Sequence, residues 1–350
     1  MLHRLSPKEQ FELLVSQWEP VVRKAFLSAI EDIRSTIVLR RIVERLERGD
    51  IAGAIQAMNL EDAAFRELDE AIRQTFNAGG VGEVQQMPSL RGPDGYQVVI
   101  RFDVRNIFAE QWLREHSGSL ITRIIQDQLQ AVREKMIDGL ARGDNPTRTA
   151  LDIIGRVGGT GVRTGGILGL TAAQARYVAT ARQDLLSGDP ARMRHYLTLG
   201  KRDKRFDRSV IKSIEEGRAL SQNDVAKITG RLADGYLKLR GDTIALNETF
   251  SALNESKIQA WRQAIAKGDV DVAVITKTWL SMDDGRVRHT HRAMHGQKVP
   301  FEAKFVSPSG AQLEYPHDPK APTAETLACR CRFTVTVDYA EQLLRRRGRG

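Results

Sequence analysis

The stretch from residue 279 to residue 331 carries the most distinctive pattern in this sequence. It opens with an aromatic residue and an acidic turn, reading Trp279-Leu280-Ser281-Met282-Asp283-Asp284-Gly285-Arg286-Val287-Arg288. A histidine cluster follows at His289, His291 and His295, and then Gly296-Gln297. After a segment rich in glycine and proline come Tyr315-Pro316-His317, Glu325-Thr326 and finally Cys329-Arg330-Cys331. Both cysteines of the chain therefore lie at the end of this stretch, one residue apart.

Strand-like runs lie on both sides of this stretch. Val272, Val274 and Ile275 lead into Trp279, and the β-branched run Phe333-Thr334-Val335-Thr336-Val337 alternates as a half-buried strand does. The sequence between them is rich in turn residues. The pattern predicts an α+β unit over residues 269–338, followed by a basic tail over residues 339–350.

The rest of the chain is dominated by helical periodicity. Residues 1–76 predict an N-terminal helical module, which opens with the capping box Ser6-Pro7-Lys8-Glu9. Pro20 lies inside the first apolar stripe and is expected to kink or split that helix. The glycines of residues 77–82 predict a break, so residues 77–112 are interpreted as a linker with a strand or hairpin at 96–102.

Residues 113–268 predict a long helical domain packed beside the C-terminal unit. Thr171 begins a second capping box, and breaks are expected near residues 188–190, 217 and 241–242. The glycine-rich residues 155–169 lack a phosphate-binding fingerprint and are interpreted as a connection between helices. The fold class predicted is therefore α+β and mainly helical.

Composition limits the classes of function. The 350 residues are 41% hydrophobic and 28% charged, which is typical of a globular chain rather than a disordered one. No apolar run is long enough for a membrane span, so no membrane partner is expected during assembly. The N-terminus lacks the apolar core of a signal peptide, and we expect the protein to stay in the cytoplasm where it is made.

A net charge of +9 suits contact with a polyanion, although a solvated surface without a partner explains charge equally well. Cations are dense between residues 192 and 240 and again at the C-terminus. The residues predicted to contact the phosphates of double-stranded DNA, without sequence preference, are Arg202, Lys204, Arg205, Arg345, Arg346, Arg347 and Arg349. The alternative for each is an exposed face laced with salt bridges.

Three interpretations compete for the histidines and cysteines. The first is structural zinc, bound by the Cys-x-Cys pair and two histidines, with His291, His295, Cys329 and Cys331 as the candidate ligands. His291 and His295 would share one helical face at a spacing of four residues. The second is catalysis, either metal-dependent hydrolysis with Asp283, Asp284 or Asp318, or a cysteine–histidine nucleophile. No recognised catalytic motif surrounds these residues, so we predict no enzyme and no catalytic residue.

The third interpretation is structural and is the one we favour, with no cofactor required. Trp279 and Tyr315 would fill a small core, and the turn at Asp283 would orient the segment. Arg286 and Arg330 would pair with carboxylates such as Asp283 or Glu325, because a guanidinium–carboxylate fork fixes loop geometry. Gly296 and Gln297 complete the residues assigned to this structural signature.

These motifs resemble the Mu F-like family, the minor head (head morphogenesis) proteins of tailed bacteriophages. The residues that carry the resemblance are Trp279, Asp283 and Asp284, Arg286-Val287, Gly296-Gln297, Pro316 to Pro322, Glu325-Thr326 and Cys329-Arg330-Cys331. The resemblance extends over residues 115–338, with Gly169-Leu170-Thr171-Ala172-Ala173-Gln174 and Lys201-Arg202-Asp203-Lys204-Arg205-Phe206-Asp207 upstream.

The resemblance implies a structural virion protein of the capsid interior, made in the host cytoplasm. It implies a role in head assembly at the portal and in DNA packaging or ejection. The partners implied are the portal protein and the major capsid or scaffolding protein, with double-stranded DNA added from the charge. Two alternatives stay open: an enzyme built on the His/Cys unit, such as a metal-assisted nuclease or a transferase, and a stand-alone DNA-binding protein.

Overall fold

The computed structural model describes residues 5–87, 99–159, 161–282 and 284–347. In these ranges the chain is mainly helical with small antiparallel sheets, which confirms the predicted α+β class. Within the same ranges, no helix combines the length and the apolar composition of a membrane span.

The helices of the described residues carry most of the chain. Their bounds are α1 Pro7–Thr36, α2 Leu39–Glu47, α3 Ile51–Gln56, α4 Arg66–Gln86, α5 Ile107–Ala141, α6 Pro146–Ile154, α7 Ala172–Ser187, α8 Pro190–Thr198, α9 Asp207–Glu215, α10 Gln222–Ala266, α11 His289–Ala293, α12 Thr323–Thr326 and α13 Tyr339–Arg347. Short 3₁₀ turns precede α4, α9 and the first long strand.

The strands form three antiparallel sheets in the described residues. Their bounds are β1 Arg156–Val157, β2 Arg163–Thr164, β3 Ile275–Leu280, β4 Lys298–Pro300, β5 Phe305–Val306, β6 Gln312–Leu313 and β7 Arg332–Val337. β1 pairs with β2 and β5 with β6, while β3 lies between β4 and β7 in the largest sheet. The register of that sheet places Trp279 opposite Phe333.

The chain divides into two compact units. Unit 1 comprises Met1–Arg23, Leu68–Ser117 and Thr243–Gly350, and unit 2 comprises Lys24–Glu67 and Gly118–Asp242. The domain boundaries predicted from the sequence stay predictions.

Unit 1 is built around an aromatic core below the three-stranded sheet. Its large buried side chains come from α10, from β3 and β7, and from the loops between them; they are Trp261, Trp279, Phe301, Phe305, Tyr315 and Phe333. Burial of aromatic side chains of this size removes the largest apolar areas from water and dominates the stability of a small core.

Unit 2 is helical apart from the β1–β2 hairpin, which occupies the glycine-rich residues 155–169. Two buried guanidinium groups hold this segment: Arg34 donates to the carbonyl of Leu168 at 2.6 Å, and Arg240 donates to that of Gly169 at 3.0 Å. Burial lowers the pKa of Arg34 to about 10. The segment thus connects α6 to α7, as predicted, and its carbonyls are anchored.

Helix starts encoded by neighbouring residues are confirmed. Ser6 and Glu9 bond each other's backbone amides at 3.2 and 2.8 Å, and Thr171 makes the same reciprocal box with Gln174. Each box satisfies amides that a helix end leaves without intrahelical partners.

The glycines of residues 77–82 do not end a helix, because α4 continues to Gln86. A Cβ on Gly79 would lie 2.3 Å from the Oγ atom of Ser256, and one on Gly80 would lie 2.3 Å from the ring of Phe102. These glycines therefore allow close packing inside unit 1. The prediction of a turn was wrong because glycine near the middle of a helix serves packing as well as chain reversal.

Two further predicted interruptions are absent. The helix α1 continues through Pro20 without being split, with Val22, Phe26 and Ile30 buried beyond it. The helix α10 likewise continues through Gly241, where an added Cβ would lie 3.2 Å from the Cδ2 atom of Leu27. In both places buried packing outweighs the local cost of the residue.

The strand predicted over residues 96–102 falls largely on residues 88–98, which lie outside the described ranges. Residues 99–102 have no strand conformation. The two C-terminal strand predictions fare better, since β7 covers the alternating run. β3 begins only at Ile275, after a 3₁₀ turn at Val272–Val274.

Candidate functional site

The histidine and cysteine residues of the C-terminal stretch come together inside unit 1. β3 runs through the centre of the sheet, α11 begins at His289, and the Cys-x-Cys pair immediately precedes β7. His291, Cys329 and Cys331 are 1%, 4% and 2% exposed. The Sγ atoms of Cys329 and Cys331 lie 3.3 and 3.5 Å from the Nδ1 atom of His291.

A buried carboxylate orients this imidazole from the opposite side. The Nε2 atom of His291 lies 2.8 Å from the Oε2 atom of Glu325. The other oxygen of Glu325 accepts hydrogen bonds from the hydroxyls of Ser307 at 3.0 Å and Ser309 at 2.6 Å. Burial acts to raise the pKa of Glu325, but these hydroxyls and His291 outweigh it and the pKa is lowered.

Trp279 closes the site from the central strand. Its ring makes edge contacts with His291, at 5.1 Å between centroids, and with Phe305, at 5.3 Å. Its buried indole lies beside Cys331 and helps to lower the pKa of that thiol by a hydrogen bond to the sulfur.

The two thiols differ in acidity. A hydrogen bond from Cys329 and the adjacent His291 lower the pKa of Cys331 to about 5, although burial opposes them. Burial and the neighbouring Cys331 raise the pKa of Cys329 well above its usual value. The pair thus favours a single thiolate, on Cys331, which interacts with the imidazole of His291.

The Gly-Gln pair braces Trp279 through the backbone. The amide of Trp279 donates to the carbonyl of Gln297, and the amide of Gly296 donates to the carbonyl of Trp279, both at 2.9 Å. The side-chain amide of Gln297 both donates to and accepts from the backbone of Val306 at 3.1 Å. A buried Tyr315 completes the core, and burial raises the pKa of its hydroxyl.

The arginines of the stretch bind partners other than those predicted. Arg330 pairs with Asp284, whereas the carboxylate of Glu325 receives hydroxyl and imidazole donors and no arginine side chain among the described residues. The backbone amide of Arg286 donates to the carboxylate of Asp284 at 3.0 Å. Asp283 lies outside the described residues.

Sequence reasoning missed three contributors to the site. Arg288 donates to the backbone carbonyls of Glu325 and Leu327, and Ser307 and Ser309 bind the Glu325 carboxylate. Arg288 lies directly after the recognised Arg-Val pair, which is a usable signal. Serines in a turn-rich loop give none, because serine is common in turns for local reasons.

The remaining histidines lie elsewhere or play other roles. His295 is exposed, and its Nδ1 atom accepts from the Ser281 hydroxyl at 2.9 Å. It cannot share a helical face with His291, because α11 ends at Ala293. His317 is buried, and its Nε2 atom bonds the carbonyl of Cys329. The structure therefore brings His291, Cys329 and Cys331 together and leaves His295 apart.

Three of the residues predicted to contact DNA form ion pairs with carboxylates. Arg202 makes a two-pronged bond to Asp207 at 3.0 Å, and Arg205 binds Asp203 at 2.6 Å. Lys204 is exposed. In α13, Arg345 pairs with Glu341 at 2.8 Å. The side chains of Arg346 and Arg347, and all of Arg349, lie outside the described residues.

Comparison with known families places this site in context. Residues 204–334 match the family model described as phage Mu protein F like protein. This segment is similar to the phage Mu protein F like family. The Mu F-like segment contains Trp279, the Gly-Gln pair, Glu325 and both cysteines, so the resemblance predicted from these residues is confirmed. The match is narrower than the predicted range, since residues 115–203 lie outside it. No curated protein and no solved structure matched the chain.

The geometry limits what chemistry this cluster can perform. A cysteine nucleophile needs a substrate within reach of its sulfur. Cys329 and Cys331 are only 4% and 2% exposed, and their sulfurs face the imidazole of His291 and an aromatic core. The arrangement suits a group that is held in place, such as a metal ion or a buried hydrogen-bond network.

Proposed function

We propose that the protein is a structural minor head protein of a tailed bacteriophage, acting in head assembly at the portal. The observation that carries this proposal is the Mu F-like match over residues 204–334. The buried site supports a structural role, because its polar groups bond one another and leave the sulfurs covered.

The portal protein is the first partner to test. We would co-express the full chain, carrying an affinity tag, with the portal, major capsid and scaffolding proteins of the same phage. Portal protein is expected to co-purify with the chain. The chain is also expected in purified heads, where protease digestion reaches it only after the shell is opened.

Absence from purified heads, together with no retained portal protein, would contradict the proposal. The matched control carries His295→Asn, which changes an exposed histidine outside the buried cluster and should leave both results unchanged. A second control uses the portal protein of an unrelated phage and guards against adhesion through net charge.

We further propose that the chain contacts packaged double-stranded DNA through the arginines near its C-terminus. The net charge of +9 supports this, while the pairing of Arg202 and Arg205 with aspartates directs attention to the C-terminal arginines. Each phosphate contact adds about 0.9 to the slope of log affinity against log salt concentration.

The DNA test replaces Arg345, Arg346, Arg347 and Arg349 by glutamine. We expect weaker binding of random duplex DNA and a salt slope reduced by about 2–3. Replacement of Arg202 and Arg205 is the comparison, and it should change the slope less because local carboxylates already neutralise both groups. Binding that depends on duplex sequence, or an unchanged slope, would contradict the proposal.

A further inference from the structure

Three ligand atoms in the Mu F-like segment converge on one point. The Nδ1 atom of His291 and the Sγ atoms of Cys329 and Cys331 all lie within 4.8 Å of one another. The two nitrogen–sulfur distances are 3.3 and 3.5 Å. A tetrahedral ion bound at ordinary zinc–sulfur and zinc–nitrogen lengths separates sulfur from nitrogen by about 3.6 Å. The three atoms therefore already stand close to the corners of a zinc coordination sphere.

The imidazole is held as a metal-binding histidine is held. Its Nε2 atom faces Glu325, so the proton belongs on Nε2 and the lone pair of Nδ1 is directed at the two sulfurs. Ser307, Ser309 and Thr290 fix the carboxylate in turn. A carboxylate–histidine pair of this kind sets ring orientation and raises ligand basicity in metal centres.

We propose that His291, Cys329 and Cys331 bind one Zn²⁺ ion that ties α11 to the start of β7. Two thiolates and one imidazole select a borderline-soft ion over the oxygen-seeking Mg²⁺ and Ca²⁺. The role is structural, since the three ligands are buried and the two cysteines lie 38 and 40 residues from His291 in the chain.

The described residues offer no fourth protein ligand, so we assign the fourth position to a non-protein ligand. Two nearby polar side chains do not supply this ligand. His317 bonds the carbonyl of Cys329, and Arg288 carries only hydrogen-bond donors and no atom that could bind a metal ion. The indole N–H of Trp279 lies beside Cys331 and acts on that sulfur as a hydrogen-bond donor. A zinc-bound thiolate is an acceptor for that donor, because it keeps lone pairs directed away from the metal.

The experiment measures metal in the full chain purified from cells grown with added zinc. We expect about one zinc per chain by elemental analysis, because the three ligands form a single centre. Cobalt exchanged into the same protein should give the intense visible bands of a tetrahedral thiolate site. X-ray absorption at the zinc edge should resolve two sulfur ligands per ion.

Variants assign the ligands. Cys329→Ser, Cys331→Ser and His291→Asn should each lose bound zinc, while His295→Asn keeps it and serves as the matched histidine control. Glu325→Gln should keep the site but weaken zinc affinity about 10–100-fold. Competition with a chromogenic chelator reads these differences without any activity assay. Cobalt binding by the unmodified chain keeps the proposal testable where a ligand variant fails to fold.

Two results would overturn the proposal. One is wild-type protein that contains no zinc and gives no tetrahedral cobalt spectrum, with both thiols titrating as free or joined in a disulfide. The other is rapid alkylation of Cys331 in native protein, which would assign the Cys-His-Glu arrangement to a nucleophile. Neither result bears on portal binding, so failure here is distinguishable from failure of the proposed function.

Discussion

Two buried polar clusters, one in each unit, show how differently proteins use such groups. In unit 1, neutral and soft donors converge on a point, with Glu325 behind His291 and two sulfurs in front. In unit 2, the carboxylate of Asp152 is surrounded by cations, with Arg156 at 2.8 Å, Lys135 at 3.2 Å and Arg182 at 3.5 Å. The first cluster brings ligand atoms together, and the second neutralises its carboxylate with cations.

The difference separates the proposed metal centre from an ion-pair network. Burial acts to raise the pKa of Asp152, but Lys135 and Arg182 lower it overall, so the cations of the cluster already satisfy the carboxylate. Within the described part of the chain, the unit 1 cluster brings three metal-ligating atoms within 4.8 Å of one another. Convergence of ligand atoms is therefore the more informative sign of a site.

The largest expected effect concerns the aromatic wall of the unit 1 cluster. Trp279→Ala should lower the free energy of unfolding by about 4–5 kcal/mol, because the ring is fully buried between His291 and Phe305. Urea titration followed by far-UV circular dichroism measures it. Leu327→Ala, at a residue 47% exposed in the same region, is the control and should change little. An equal loss of unfolding free energy in the two variants would show that the ring of Trp279 does not stabilise the cluster of His291, Cys329 and Cys331.

The unit 2 cluster should respond almost as strongly, but through charge. Asp152→Ala leaves Lys135 and Arg182 without their shared carboxylate and should cost about 3–4 kcal/mol. The control is Glu134→Ala, which breaks the exposed pair with Arg176 and should cost less than about 1 kcal/mol. Added salt should reduce the loss of unfolding free energy in Asp152→Ala more than the loss in Trp279→Ala. A larger salt effect on Trp279→Ala would contradict the assignment of the unit 2 cluster to charge.

Lys277 tests whether unit 1 tolerates buried charge. Its ammonium group donates to the carbonyl of Glu314 at 2.7 Å and lies over Phe305, and burial lowers its pKa to about 8. Between pH 8 and pH 10.5 the unfolded chain keeps a proton that the folded chain releases, so this group makes stability rise with pH. The rise should be on the order of 2–3 kcal/mol.

Lys277→Met should remove that rise. Urea midpoints at several pH values across the window, compared between wild type and variant, isolate the contribution because the other groups titrate in both. A wild-type curve parallel to that of the variant would mean that Lys277 keeps its ordinary pKa.

The smallest expected effect is local and concerns unit 2. Thr171→Ala removes one half of the capping box at α7 and should cost about 1 kcal/mol. Thr171→Ser is the matched control and should retain most of the stability, because the hydroxyl that accepts from the backbone is kept. A cost as large as that of Asp152→Ala would mean that unit 2 depends on its helix starts more than on its buried ions.

Short-range features of the fold were predictable from the sequence, and long-range ones were not. The capping boxes at Ser6 and Thr171 were found because all of their partners lie within four residues. The run from Phe333 to Val337 was found because alternation is itself local. Gly79 and Gly241 were misread because the side chains that require them, Ser256 and Leu27, are more than 170 residues away in the chain.

The candidate site divides in the same way. The Cys-x-Cys pair and His291 could be named from the sequence, since their residue types carry the chemistry. The choice between His291 and His295 depended on where a five-residue helix ends, and spacing alone could not decide it. The pairing of Glu325 with an imidazole rather than an arginine depended on a loop that brings Ser307 and Ser309 beneath it.

The segment before the cysteines has a consequence for how this protein can vary. Ala328 is exposed, yet its φ is +55°, and its amide donates to the side chain of Asn247 at 2.8 Å. Left-handed backbone is costly for β-branched residues and free for glycine. Although Ala328 is exposed, it should therefore tolerate as few substitutions as a buried residue does. Glycine or asparagine fits its backbone, whereas valine or isoleucine would displace the sulfurs of Cys329 and Cys331.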